Sequence, residues 1–225
     1  MTSGRTARAH HARASTSPAT IANALRVYSY IVARDFGFAP NPFFGWCTLA
    51  TCKGVIRRTA QVGDWVLGTG SAKKGRAGRA IYAMRVEGAM TFGEYWTDPR
   101  FARKHPDLKA SRKLAFGDNI YSPDAGGGWH QLDSHHSLHD GSPNPLNIDT
   151  DTKTDRVLVS QNYIYWGADG PMVPSELRSF GEDHEDICCK TQGHRCCFGS
   201  GLVAATASWL AGFEDRGLQG RPAEW

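Results

Sequence analysis

The sequence predicts an α+β domain, and three observations lead there. Glycine is abundant, with 25 residues in 225, and aromatics reach 11%. Set in short apolar runs, they suit strands and turns. Hydrophobic residues make up 40% of the chain and charged residues 21%, enough for one buried core at this length. Helix signals are few and brief. They are a Thr91/Glu94 capping-box pair, Pro174 ahead of Ser175-Glu176-Leu177, and an apolar run from Gly199 to Gly212. We expect short helices flanking a β body, with a C-terminal helix.

Taken in order, residues 1–22 hold Arg5, Arg8 and Arg13 without an acid, and read as a disordered basic arm. A single domain is expected over 23–225. Arg26 to Ala33 is apolar or aromatic on both alternating faces, as in a central strand. Asp35 to Trp46 is broken by prolines and glycines and carries Phe36, Phe38, Phe43, Phe44 and Trp46, so it reads as an aromatic loop. Its rings either cap the core or offer a wall on which a base can stack. Thr48 to Ala60 has helical spacing weakened by Gly54, and Cys47 and Cys52 read as core or helix residues. Gly63 to Gly70 is turn plus strand, 71–78 a basic hairpin tip, and Arg79 to Glu87 the returning strand. Pro99 stops the helix that Thr91 begins. Ile120-Tyr121 reads as a short strand, and Asp155 to Trp166 as one long aromatic strand.

The densest polar stretch is Trp129-His130-Gln131-Leu132-Asp133-Ser134-His135-His136, running on to His139-Asp140. Such a run buries little, and imidazole serves as base, acid or ligand near neutral pH. We assign His135 and His136 as candidate proton carriers, with Asp133 orienting them. The plain alternative is a solvated loop. The cofactor is left unknown. A metal on His130, Asp133, His135, His136 and His139 is the less favoured use, because adjacent His135 and His136 cannot both point inward from a strand. Cys188, Cys189, Cys196 and Cys197 around His194 match no standard zinc spacing and read as free thiols.

Charge is unevenly spread: net +6 over residues 1–72 and +7 over 73–113, against −10 over 114–188. A basic half beside an acidic half fits a polyanion surface next to a separate site, or two halves that pair with each other. Lys73, Lys74, Arg76 and Arg79 on the hairpin, with Arg100, Arg103 and Lys104 further on, are the phosphate-binding candidates. For a base pocket we favour Trp129 and Trp46, with Phe43, Tyr28 and Gln131 beside them. No apolar run reaches eighteen residues and no secretory h-region is present, so a cytoplasmic protein with reduced thiols and no membrane partner is expected.

The Gly63-Asp64-Trp65-Val66 turn and the Tyr82 to Val86 strand, in this order of elements, resemble the small mixed β-barrels of the PUA-like superfamily, including EVE and ASCH domains. That likeness implies a PUA-like barrel with short flanking helices. A closer resemblance rests on a set of blocks: RVYSYIVARDFGFAPNPF, CTLATCK followed by IRR, GDWVLGTGS, EYWTDPRFARKHP, GDNIY, WHQLDSHHS and DRVLVSQNYIYWG. Spread from about Leu25 to Pro174, these resemble the bacterial and phage nucleotide-modification-associated domain, second type. The resemblance implies recognition or processing of a modified nucleotide or DNA base, in DNA modification or phage defence, with DNA or a modified nucleotide as partner. The alternatives are a non-catalytic module reading a flipped base and a metal-dependent defence nuclease. This chain departs from the family pattern at Gly54, where proline is expected, and in its cysteine-rich tail.

Overall fold

The apolar run that begins at Val27 forms β1 (Val27–Val32), buried along nearly its whole length. The computed structural model describes Met1 and residues 24–225, so the arm expected over 1–22 lies, Met1 apart, outside the described residues. After β1 come β2 (Cys47–Leu49), α1 (Gly54–Thr59), β3 (Trp65–Gly70), β4 (Ala80–Arg85), β5 (Gly88–Met90), α2 (Phe92–Thr97) and α3 (Arg112–Ala115). The second half holds β6 (Tyr121–Pro123), β7 (Trp129–Gln131), α4 (Pro145–Thr152), β8 (Val157–Ser160) and β9 (Tyr163–Tyr165). It ends with α5 (Ser175–Arg178), β10 (His194–Arg195), α6 (Ser200–Ala211) and β11 (Gly217–Leu218).

The strands make a mixed six-stranded sheet in the order β10-β1-β3-β4-β9-β11, a three-stranded sheet β2-β8-β5 and a hairpin β6-β7. β1 and β3 pair in parallel, and β3 and β4 antiparallel with a register shift between Gly68 and Thr69. At Gly68 a Cβ would fall 2.3 Å from the ring of Tyr82. Glycine is what lets that ring cross β3, and the Tyr82 hydroxyl meets that of Tyr30 at 2.9 Å. Tyr28, Tyr30, Met84 and Tyr165 face Cys47, Leu49 and Leu158 of the three-stranded sheet across one core. Val27, Leu67 and Ala83 on the other face are covered by Leu202, Val203 and Leu210 of α6.

The fold is mixed α/β, and the expected barrel is corrected: the sheets do not close. The outermost strands β10 and β11 have two residues each and lie at opposite edges of the six-stranded sheet. The single strand expected over Asp155 to Trp166 is two strands in different sheets. The break has a tertiary cause: Glu87 accepts from the backbone N–H of Gln161 at 2.6 Å and of Asn162 at 3.2 Å, and Ser160 donates to Arg85 O at 2.6 Å. The local signals hold elsewhere. Thr91 and Glu94 form both halves of the capping box, and α6 falls inside the expected Gly199–Gly212 run.

Lys104 was a phosphate candidate and is corrected by its position. Its side chain is fully buried, with Nζ donating to Asn41 O at 2.9 Å, Asn41 Oδ1 at 2.6 Å and Trp46 O at 3.0 Å. Burial pushes its ammonium down to about 8. The lysine pins the aromatic loop from inside. Lys104→Ala leaves three acceptors without their donor, and should cost about 3 kcal/mol by urea denaturation. A loss below about 0.5 kcal/mol, the level of a surface change, contradicts that role.

Candidate active site

Two irregular segments and the turn before α1 build a cavity of about 530 Å³ at the end of β1. The first segment is the aromatic loop. Phe36 stacks on Phe116 at 5.1 Å, and its carbonyl accepts from the indole of Trp225 at 2.9 Å. Phe38 packs into the core formed with Phe92, Tyr95 and Tyr121. The second segment is the histidine loop. Ser134 and Ser137 close its turn through side-chain bonds to the N–H groups of His136 and Ser134. Asn147 of α4 holds His136 O at 2.8 Å. The two loops meet ring to ring, with Phe36 4.8 Å from His135 and Phe38 4.7 Å from His136.

The third contributor is the turn before α1. Cys52 and Lys53 both have left-handed backbone, with φ 56° and 40°, which is strained for residues with a Cβ. The strain is held by bonds. The Cys52 N–H donates to Asp151 Oδ1 at 2.7 Å, and Arg57 Nε donates to Cys52 O at 2.9 Å. Arg57 is itself fully buried and spends its other donors on the carbonyls of Thr154, Arg156 and Asp151. The turn therefore presents the Cys52 thiol to the cavity and fixes it to the end of α4.

There the thiol meets His136. Cys52 Sγ lies 3.7 Å from His136 Nε2, and His136 Nδ1 lies 2.9 Å from Asp151 Oδ2. Tyr121 donates to that same carboxylate oxygen at 3.0 Å, and Gln131 donates to the Tyr121 hydroxyl at 3.3 Å. A thiol, an imidazole and a buried carboxylate in line form the arrangement that activates a sulfur nucleophile. Burial alone would lower the His136 value, but the hydrogen bond to Asp151 and the nearby Cys52 override it and raise it to about 9. His135 moves the other way, lowered by burial, by His136 and by Arg34.

The sequence-predicted residues divide accordingly. His135 and His136 line the cavity. Asp133 is exposed and bonds to neither imidazole; Asp151 occupies the orienting position instead. Gln131 is buried behind the site, bonded to Tyr121 and to the Asn144 N–H. The favoured rings lie elsewhere. Tyr28 is in the sheet core, Phe43 stacks on Trp225, Trp46 packs on Phe101, and Trp129 packs on Phe92. The rings that line the cavity are Tyr30, Phe36 and Phe38.

Most phosphate candidates are engaged within the fold. Lys74 and Arg76 pair with Glu224, Arg79 donates to Gly170 O, Arg100 pairs with Asp98, and Arg103 lies 4.2 Å over the Phe44 ring. Lys73 is exposed and without an ion pair among the described residues. His130, Asp133 and His139 do not converge with the other histidines: among the described residues no three His, Cys, Asp or Glu side chains are grouped to hold a metal. The cysteine tail gathers no such group either, and its thiols are free. No described helix is long and apolar enough to cross a membrane.

Cys52, Lys53 and Asp151 were not singled out from the sequence. A signal for Cys52 exists, since a cysteine just before a helix start is a place where thiols become reactive, but the Thr48 to Ala60 run reads as a helix weakened at Gly54, with Cys52 inside it. Nothing in the spacing joins residue 52 to residues 136 and 151.

Fold and site together define a mixed α/β protein with a cavity built on a Cys–His–Asp relay. The chain belongs to the family described as nucleotide modification associated domain 2, which it matches over residues 24–225. No match was found among curated proteins. None was found among solved structures.

The raised His136 value gives a pH test. A histidine above its ordinary 6.5 adds stability that is fully present below 6.5 and is lost as pH rises through about 9. The His136 ring should titrate by NMR near pH 9 in the native protein and fall by at least one unit in Asp151→Asn. A midpoint near 6.5 in the native protein refutes the charged His136–Asp151 pair.

Proposed function

We propose that the protein is a thiol enzyme acting on an acyl-bearing modified nucleotide or DNA base. One observation carries the reading: the Cys52–His136–Asp151 relay, with contacts of 3.7 and 2.9 Å, opens into a cavity walled by Phe36 and Phe38. The cavity volume of about 530 Å³ is in the range of small-ligand sites. Phe36, half-buried in the cavity wall, offers a ring on which a base can stack without regard to its identity. The family description supplies the nucleotide, and the relay supplies the chemistry.

In the reading proposed here, the Cys52 thiolate adds to the carbonyl carbon. His136, held as imidazolium by Asp151, gives its proton to the departing amine or alcohol, leaving a thioester on Cys52. Neutral His136 then takes a proton from water, which attacks the thioester. The acid leaves as the C–S bond breaks, and the Cys52 thiolate and His136 imidazolium are restored. Asp151 keeps Nδ1 bonded, so Nε2 faces the sulfur in both halves. Arg57 acts through Cys52 and Asp151 as a positioning residue.

The test is turnover of a panel of acyl- and aminoacyl-bearing nucleotides, free and within DNA, followed by mass spectrometry of products. Cys52→Ser should lower the rate by roughly 10³-fold or more, and His136→Gln by about 10²-fold, with ligand binding kept within a few-fold. Full turnover in Cys52→Ser removes the proposal. Binding without turnover of any panel member, in wild type and variants alike, leaves a base-reading module instead.

Alkylation by iodoacetamide offers a substrate-free check. In wild-type protein Cys52 should react about 10²-fold faster than buried Cys47, and His136→Gln should remove most of that advantage. Equal rates at the two cysteines would count against an activated thiol.

A further inference from the structure

The cavity that holds Cys52 carries charge of one sign. Its charged side chains are Arg34, Lys53 and protonated His136, and no aspartate or glutamate lines it. Asp151 lies behind the histidine with its side chain 2% exposed.

Lys53 is the telling one. It follows the nucleophile in sequence, and its left-handed backbone turns it into the same cavity. Its ammonium sits 4.4 Å from the centre of the Tyr30 ring and is half-buried. Among the described residues its ammonium makes no ion pair and no hydrogen bond, and the Tyr30 ring face is its compensating contact. The other buried cations are treated differently. Arg57 donates to four carbonyls, and Lys104 to three oxygens. A cation partly withdrawn from water costs stability unless an acceptor compensates. Burial accordingly lowers the Lys53 value. An acceptor supplied by a ligand would remove that cost, and a charge-assisted bond in a cleft is stronger than one in water. Arg34, exposed where β1 gives way to the aromatic loop, adds a second positive charge at the rim.

We infer that the cavity selects a substrate carrying an anion beside its reacting carbon, a carboxylate or a phosphate, which Lys53 binds and Arg34 helps to draw in. The inference rests on Cys52 being the nucleophile. It narrows the substrate from any acyl-bearing nucleotide to one whose negative charge reaches Lys53 when its carbonyl reaches the sulfur. Lys53 is a specificity-determining residue in this reading, and a neutral nucleoside would be a poor ligand.

Iodoacetate and iodoacetamide deliver similar electrophilic carbons and differ by one negative charge. Their rates at Cys52 can be followed by peptide mass spectrometry on the full chain at low ionic strength. In wild-type protein the iodoacetate-to-iodoacetamide ratio should exceed that of a small free thiol by roughly tenfold, the lower end of electrostatic focusing in a charged cleft. Lys53→Gln should bring the ratio back most of the way, Arg34→Gln part of the way, and Lys53→Arg should preserve it. Taking a ratio cancels any change in thiol reactivity common to both reagents.

Failures can be told apart. If Cys52 reacts slowly with both reagents, the nucleophile reading falls and this inference with it. If Cys52 reacts quickly with iodoacetamide but shows no iodoacetate preference, or an unchanged one in Lys53→Gln, the nucleophile stands and the anion site is refuted. Protection from iodoacetamide separates the two anion sources: protection by thymidine monophosphate points to phosphate, and protection by succinate to a carboxylate on the modification. Thymidine protecting as well as its monophosphate, with succinate inert, overturns the inference.

Discussion

The Asp151 residue is the point at which the site is assembled. One carboxylate oxygen takes the Cys52 N–H and the other takes His136 and Tyr121, while its carbonyl takes Arg57. Four segments far apart in the chain are thereby joined through one buried residue. The strained turn at Cys52 and Lys53 persists because these bonds outweigh the cost of two left-handed residues, about 1–3 kcal/mol each. The carboxylate thus holds the Cys52 backbone and the His136 ring at once.

A second feature follows from how the cations are used. Sequence reading treats a lysine or arginine as surface charge available to phosphate. In this fold several are structural. Arg57 ties α1 to the end of α4, Lys104 holds the aromatic loop, and Lys74 and Arg76 clasp Glu224 near the C-terminal residues. This accounts for part of the balance between the basic and acidic halves: Arg57 serves the acidic segment's backbone, and Lys104 lies near Asp118. The positive charge left inside the cavity is small and local, and it stands beside the thiol.

Much of the secondary structure was legible. The β1, β3 and β4 runs, the Thr91 capping box and α6 are local matters of period, propensity and capping, and local signals survive folding. The barrel was not, because closure depends on which edges pair, and β10 and β11 do not. The Asp155–Trp166 run looked continuous because the Glu87 carboxylate that breaks it comes from a distant strand end. The histidine loop was singled out from its composition, and its His135 and His136 line the cavity, while Asp133, the nearest carboxylate in sequence, bonds to neither imidazole.

By itself the sequence determined much of the secondary structure, the membership of the domain family and the loop that carries the imidazoles, since these depend on neighbours along the chain. The tertiary structure alone decided which thiol, which carboxylate and which cation stand beside the His136 imidazole. Residues 52, 136 and 151 become a site through contacts across 84 and 15 positions, and such contacts leave no periodic trace for a sequence to show.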